Sequence, residues 1–261
     1  MNFYLKLIRR IIIFNASSFF AFRSIVINSL LSGTVWSIST LVSTLLLTSK
    51  ARSVYGWSQN ELILLTGTFT LTWGLSNLLF QRNFQDLALL IDRGKLDGIL
   101  LKPVDSQFFV SFRQINYAGV ARLIIGSIIV SVICGRLHIT IPIISLVIYI
   151  FLIILGVSII YGIWFMIITI LVWHHSLTNL NAVANNLIGL SKYPQEMFQR
   201  LSPSLVLVFP LLLTATIPTR YILGKSSLGE LIFLSLMSIV VVWLSRKFWK
   251  FALRYYTSAG G

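Results

Sequence analysis

The sequence predicts an all-α integral membrane protein with six transmembrane helices. Hydrophobic residues occupy 56% of the 261 positions and charged residues only 11%, which is more apolar side chain than a soluble core can bury. Several uncharged runs reach the roughly 20 residues that one helical crossing of the bilayer requires. The formal charge is +14, but the basic residues cluster at the ends of apolar runs. They therefore indicate membrane topology and contacts with anionic lipid, and we expect no nucleic acid binding.

Residues 2–23 predict an amphipathic helix that lies on the membrane surface. Lys6, Arg9 and Arg10 precede an apolar run that Asn15 interrupts. A basic polar face beside an apolar face is typical of helices that lie in the plane of the lipid headgroups. No small-residue cleavage pattern follows this segment, so we do not interpret it as a signal peptide.

The membrane spans follow from the uncharged runs between basic residues. The predicted spans are residues 24–48, 62–80, 114–134, 141–173 and 228–245. The fourth would be roughly 50 Å long as one helix with a rise of 1.5 Å per residue. We therefore expect it to be tilted in the bilayer.

One more crossing is needed before the last span if the C-terminus lies in the cytoplasm. Hydropathy favours residues 203–219 as this fifth span. The competing assignment is a polar crossing at residues 176–194, rich in Asn, followed by a re-entrant segment on the outer side. Either choice gives six crossings. Both place the termini and the loop of residues 81–113 in the cytoplasm, with thirteen basic residues inside and five outside.

The loop of residues 81–113 concentrates charge in a chain that otherwise avoids it. Apolar residues recur at helical spacing over residues 81–92, which predicts a helix that continues the second span. Gly94 suits a helix end, and Asp105 can cap the next helix. Between Gly94 and Pro103 the pattern predicts a short helix with an apolar ridge of Leu96, Ile99 and Leu100. This helix is either part of a solvated loop resting on lipid headgroups or a docking element for the groove of a soluble partner.

Several motifs of the chain resemble those of a known family. The run "GKLDGILLKPVD" at residues 94–105 resembles the G-x-LD-x-x-L-x-(K/R)P element of bacterial permease subunits of the type 2 ABC exporter class, in the branch long labelled uncharacterised ABC transport permeases. The pieces "YGWSQNEL", "KYPQEMF", "IPTRYILGK" and the terminal "RKFWKFALRYYTSAGG" also match, in family order, and together they cover most of the chain.

The resemblance implies a six-span half-transporter in the bacterial inner membrane. It would pair with a second, homologous permease, for which we favour a different chain, and dock two cytoplasmic ABC ATPase subunits. ATP and Mg would bind those subunits, so this chain would need no cofactor, metal or catalytic residue. The resemblance also favours the polar fifth span at residues 176–194. It assigns coupling to the ATPase to Lys95, Leu96, Asp97, Ile99, Leu100, Lys102 and Pro103.

Polar residues in the predicted spans are candidates for a translocation path. Arg122 lies within the third span, where a charge is costly enough to suggest a water-filled path or a partner carboxylate. Alternatively, the span begins later and Arg122 reaches the inner headgroups. Asn179 and Asn185 are candidates for the same path, or they hydrogen-bond between helices.

These observations predict the permease subunit of an ATP-driven exporter of a hydrophobic or amphipathic substrate. The alternative is a membrane-embedded lipid-modifying enzyme that uses His174 or His175, although no catalytic constellation is recognisable. A secondary transporter is a third class. It would require inverted repeats and buried acidic residues, whereas the chain's acidic residues lie in the charged loop or near span ends.

Overall fold

The computed structural model describes residues 2–21, 23–49, 53–174, 177, 179–198 and 208–256, hereafter the described residues. Of the described residues, 82% are helical, which confirms the predicted all-α class. The helices are α1 (Asn2–Ala21), α2 (Arg23–Thr48), α3 (Gln59–Ser76), α4 (Arg82–Asp92), α5 (Asp97–Leu100), α6 (Ser106–Phe112), α7 (Ala118–Arg136), α8 (Ile143–Thr169), α9 (Leu180–Gly189), α10 (Val208–Ile222) and α11 (Leu228–Ala252). Two short strands, β1 (Ser53–Val54) and β2 (Trp57–Ser58), form an antiparallel hairpin before α3.

Five helices among the described residues are long and apolar enough to cross a membrane. They are Arg23–Thr48, Gln59–Asp92, Ala118–Arg136, Ile143–Val172 and Leu228–Ala252. Each overlaps one of the predicted spans. The second of them runs without a break from α3 through a π-helical turn into α4, as the apolar stripe over residues 81–92 predicted.

Each assignment of the fifth span includes a described helix. α9, in the polar assignment, has 10 residues, and the described part of α10, in the hydropathy assignment, has 15. α9 continues into a 3₁₀ turn, where Ser191 donates a hydrogen bond to the carbonyl of Leu211 in α10 at 2.7 Å. Both assignments of the fifth span therefore fall on helical segments that pack against each other. Six crossings and the re-entrant segment after residue 194 remain predictions, and residues 199–207 lie outside the described residues.

Most apolar residues of α10 are buried by protein. Leu211, Ala215 and Ile217 are almost completely buried. α10 packs on α8 so closely that a Cβ added at Gly156 would lie 2.8 Å from the carbonyl oxygen of Thr214. Hydropathy favoured this segment as a span because a helix buried in the bundle core is as apolar as one facing lipid.

α3 and α7 pack closely against each other in the core. A Cβ added at Gly119 would lie 2.5 Å from both the carbonyl oxygen of Gly74 and the amide nitrogen of Leu78. Small residues at such crossings let two backbones approach closely within a membrane. The π-helical turn Asn77–Gln81 lies beside this contact, where the amide of Asn116 donates to the carbonyl of Leu78 at 3.0 Å.

Asn15 anchors α1 to the loop that precedes α7. Its Oδ1 accepts a hydrogen bond from the amide of Ile115 at 3.0 Å, and its carbonyl accepts one from the hydroxyl of Tyr117 at 2.7 Å. Asn15 is 6% exposed. The polar residue that interrupts the apolar run is therefore a tertiary contact, while the position of α1 on a membrane surface stays a prediction.

The acidic residues divide the bundle into two ends. All three Glu residues gather near the β-hairpin, the C-terminus of α10 and the N-terminus of α11; we call this the Glu end. All four Asp residues lie in the segment from α4 to α6, and we call this region, with the C-terminus of α11, the Asp end.

Candidate coupling loop and polar cavity

Gly94 and a single helical turn shape the loop at the Asp end. Gly94 ends α4 with a φ of 61°, a left-handed conformation that glycine adopts without steric cost. The predicted short helix is the one-turn α5. Leu96 is 0% exposed, and Ile99 is also buried in the core. The predicted apolar ridge therefore faces the bundle at these two residues rather than a partner, and burying them holds the loop against the bundle.

The side chain that the loop presents to solvent is Leu101, which sequence reasoning missed. Leu101 is 86% exposed and directly follows α5. Lys102 and Pro103 beside it are also exposed. Three consecutive apolar residues, Ile99 to Leu101, cannot share one face of a single helical turn. That pattern was the available signal that one of them points away from the core.

The remaining predicted coupling residues lie around this tip. Lys95 is exposed, whereas Asp97 and Leu100 are partly buried. The ammonium nitrogen of Lys102 lies 4.3 Å from the centre of the Phe109 ring, a cation–π contact. We call the three exposed residues Leu101, Lys102 and Pro103 the loop tip.

Asp105 joins the loop to α11. Its Oδ1 accepts the amide of Phe108 at 2.9 Å and thereby caps α6, as the sequence predicted. Its carboxylate also pairs with the guanidinium of Arg246. Partial burial opposes ionisation of Asp105, but the hydrogen bonds from Arg246 and Phe108 and the charges of Arg246 and Lys250 outweigh it. The pKa of Asp105 is therefore below its usual value.

Further contacts hold both flanks of the loop. Trp249 of α11 donates from Nε1 to the hydroxyl of Ser106 at 3.0 Å. On the other flank, Arg113 pairs with Asp86 of α4 at 2.7 Å. The loop is thus fixed at α4, α6 and α11.

A polar cavity of about 530 Å³ lies between α2, α3, α7 and α9. Arg122 and Asn185, two of the three candidates for a translocation path, both line it. Asn179 does not, because it lies exposed at the N-terminus of α9. α7 begins at Ala118 rather than near residue 114, so Arg122 stands about one turn inside the helix.

Three residues that line the cavity carry buried polar atoms without partners. Arg122 Nε, Asn77 Oδ1 and Asn185 Oδ1 have no hydrogen-bond partner among the described residues. The guanidinium carbon of Arg122 lies 6.0 Å from the centre of the Trp73 ring. No carboxylate lines this cavity. The partner carboxylate considered for Arg122 is therefore not found among the described residues.

Aromatic rings connect the cavity to the loop. Trp73 stacks on Trp164 with their ring centres 5.3 Å apart, and Trp164 meets the edge of Phe84 in α4, also at 5.3 Å. Phe84 contacts Phe165 at 5.6 Å, and Phe165 contacts Trp249 at 5.2 Å. Trp249 is the residue that bonds Ser106, so one continuous set of packed rings runs from beside Arg122 to α6.

Comparison with known proteins decides the family. A family model described as "ABC-2 family transporter protein" matches residues 34–260. The chain belongs to the ABC-2 family of transporter proteins. The matched region includes the loop of residues 81–113, the cavity and both ends of the bundle. Comparison with curated proteins and with solved structures returned no match.

Membership of the ABC-2 family makes this chain the permease component of an ABC transporter. Such a permease is a transport component rather than an enzyme, and the family implies an ATPase partner. His174 of this ABC-2 permease is exposed beyond the end of α8, and His175 lies outside the described residues. No group of three His, Cys, Asp or Glu residues that could hold a metal occurs in the described part of the permease.

Proposed function

We propose that this permease couples ATP hydrolysis by a partner ATPase to the export of a hydrophobic or amphipathic substrate. The Asp end would face the cytoplasm, with both termini on that side of a bacterial inner membrane. The observation that carries the proposal is the loop tip. An 86% exposed Leu101 stands between fixed flanks, next to a cationic side chain and a proline.

A leucine at the tip of a fixed loop suits a groove on a soluble partner. Its apolar side chain supplies burial energy, and the charges of Lys95 and Lys102 would fix the orientation of docking. The apolar residues that hold the loop are buried beneath it. The partner would therefore contact the loop without unfolding it.

Movement of the ATPase would pass through the loop to the transmembrane helices. α4 is continuous with α3, and Asp105, Ser106 and Gln107 bond to residues of α11. The permease would shift between inward and outward states when ATP binding closes the ATPase pair and hydrolysis releases it. ATP and Mg would remain on the ATPase subunits.

We extend the proposal to the assembly. Two ATPase subunits require two loops, so a second, homologous permease would complete the transporter. We favour a heterodimer. The apolar faces of α2 and α11 are exposed in the single chain, for example at Val35 and Ile239, and they are available to lipid or to that second permease.

Co-purification of the permease with its ATPase tests this proposal. Leu101→Asp should abolish co-purification because it places a charge in the docking groove, while the permease still inserts and remains monodisperse. Leu228→Asp is the matched control. Leu228 is 74% exposed at the first position of α11, where the helix dipole favours an acidic side chain. Equal ATPase recovery with both variants would disprove the proposed contact.

A further inference from the structure

We infer that the cavity beside Arg122 binds the anionic head of an amphipathic molecule that also carries hydroxyl groups. This inference rests on the proposed function in one respect, since it takes that molecule to be the transported substrate. Binding itself requires neither the ATPase nor ATP, so the two proposals can fail separately.

The charge of the cavity selects an anion. Its lining includes two cationic side chains, Arg122 and Lys192, and no carboxylate. A second cavity of about 370 Å³ shares Trp36, Gln81 and Arg122 with the first, and it too has no acidic lining residue. Arg122 therefore stands where the two cavities meet. A guanidinium with a buried, unpartnered N–H is costly, and an anionic oxygen would supply the missing acceptor.

Asn77 favours a ligand that also donates a hydrogen bond. Asn77 is 1% exposed, and its Nδ2 donates to the carbonyl of Trp73 at 2.9 Å. Because a carbonyl oxygen can only accept, this bond fixes the amide orientation and leaves Oδ1 as the atom without a partner, on a residue that lines the cavity. A ligand hydroxyl would satisfy it. An ammonium group would also donate, but Arg122 and Lys192 make the site unfavourable for a cation.

The other walls of the cavity suit an apolar chain. Trp36, Phe69 and Trp73 line it on the sides of α2 and α3. Trp36 is 62% exposed on α2, so the cavity reaches the open face of the bundle at that point. A polar head beside Arg122 and an apolar chain along Trp36 would match both parts of the site.

The consequence for transport follows from the ring contacts. Trp73 lies over Arg122 and is the first member of the set of packed rings that ends at α6. A head group that draws Arg122 toward itself would act on the same packed residues that the coupling loop contacts. Substrate bound in the cavity and the ATPase bound at the loop would then both shift the conformational equilibrium of the same helices.

Lysophosphatidylglycerol, which has a phosphate, hydroxyls and one acyl chain, is the probe. Native mass spectrometry of the purified permease in a neutral sugar detergent should show one molecule bound per chain. Loss of a charge-assisted hydrogen bond in Arg122→Gln should weaken binding about tenfold. Asn77→Leu should weaken it about fivefold, because it removes the acceptor for a ligand hydroxyl. The control is Arg82→Gln, which changes an exposed arginine and should bind as the wild type does.

Two further ligands identify the source of the anion. Lysophosphatidylcholine carries the same phosphate and chain but a cationic head, and it should bind at least about tenfold more weakly. Inorganic phosphate should bind more weakly still, because it has no apolar chain. Equal binding of both lysolipids, tighter binding of inorganic phosphate, or equal affinities of Arg122→Gln and Arg82→Gln would each overturn the inference. If binding follows the expected pattern but Leu101→Asp retains the ATPase, the proposed coupling contact fails and the ligand site stands.

Discussion

The Glu end and the Asp end of the bundle use their charges differently. At the Glu end, Arg220 pairs with both Glu196 and Glu230, and Lys225 pairs with Glu61 at 2.6 Å. All three Glu residues are thus engaged within the chain. At the Asp end, Asp86 and Asp105 are paired, whereas Asp92 is exposed with no ion pair among the described residues.

The difference indicates which end is stabilised by internal ion pairs and which end is free to contact a partner protein. Arg220 joins α10, α11 and the 3₁₀ turn that carries Glu196, and Trp57 adds a bond from Nε1 to Glu196 at 3.0 Å. At the Glu end, ion pairs join the surrounding elements to one another. Apolar burial of Leu96 holds the loop at the Asp end, leaving Leu101 and its neighbouring charges exposed. We interpret the first as a structural brace and the second as a contact surface.

The largest expected effect is on the stability of the fold, and it distinguishes the buried leucine of the loop from the exposed one. Leu96→Asp should destabilise the folded permease by about 4 kcal/mol or more, because it buries an unpaired carboxylate in the core. Leu101→Asp should leave the melting temperature unchanged. The measurement is thermal unfolding in detergent, followed by size-exclusion chromatography. A stable, monodisperse Leu96→Asp protein would show that the loop is not held by burial.

The next effect tests the brace at the Glu end. Arg220→Ala leaves two partly buried carboxylates without their cation, which should cost about 2 kcal/mol, between the values for exposed and buried pairs. The melting temperature should fall while ATPase co-purification persists. Arg136→Ala, at an exposed arginine in the last turn of α7, is the control. Loss of the ATPase from Arg220→Ala would contradict the assignment of roles to the two ends.

A smaller effect is expected at Asp105, which both caps α6 and pairs with Arg246. Asp105→Ala should cost about 1–2 kcal/mol through loss of the cap and the pair. Asp105→Asn keeps a capping oxygen and should cost less. If the two variants unfold at the same temperature, the cap contributes nothing measurable.

The lowered pKa of Asp105 also predicts how its contribution varies with pH. A carboxyl whose folded pKa lies below its unfolded value, about 3.9, stabilises the fold fully above that value. Its contribution is lost as the pH falls through the folded pKa. The difference in melting temperature between wild type and Asp105→Asn should therefore be constant above about pH 5 and shrink below about pH 4. A difference that grows on acidification would contradict this sign.

The sequence predicted the class, the continuous second helix, the helix end at Gly94 and the cap at Asp105. These features depend on local signals, namely apolar periodicity, a glycine at a helix end and an acidic residue before a helix. The family resemblance drew attention to the loop. Its exposed face could not be predicted from periodicity, because a one-turn helix is too short to define a stripe.

Features that depend on contacts between distant residues could not be predicted from the sequence. Hydropathy could not distinguish α10, buried by α8, from a lipid-facing span. Nothing local links Asn77 to Arg122, or Glu196 to both Arg220 and Trp57. Their positions follow from packing of α3 against α7 and of α10 against α8, which bring together side chains tens of residues apart.

The most direct test of the central claim is cross-linking between the loop tip and the ATPase. The chain has one cysteine, Cys134, which is buried, so Leu101→Cys provides a single accessible thiol at the Asp end. Tyr55→Cys, at a residue 60% exposed in the hairpin of the Glu end, is the control. A short thiol-reactive cross-linker should join the Leu101→Cys permease to the ATPase in membranes and leave Tyr55→Cys unlinked. Cross-linking from Tyr55→Cys, or none from Leu101→Cys in a complex that still contains the ATPase, would contradict the assignment of the Asp end as the coupling surface.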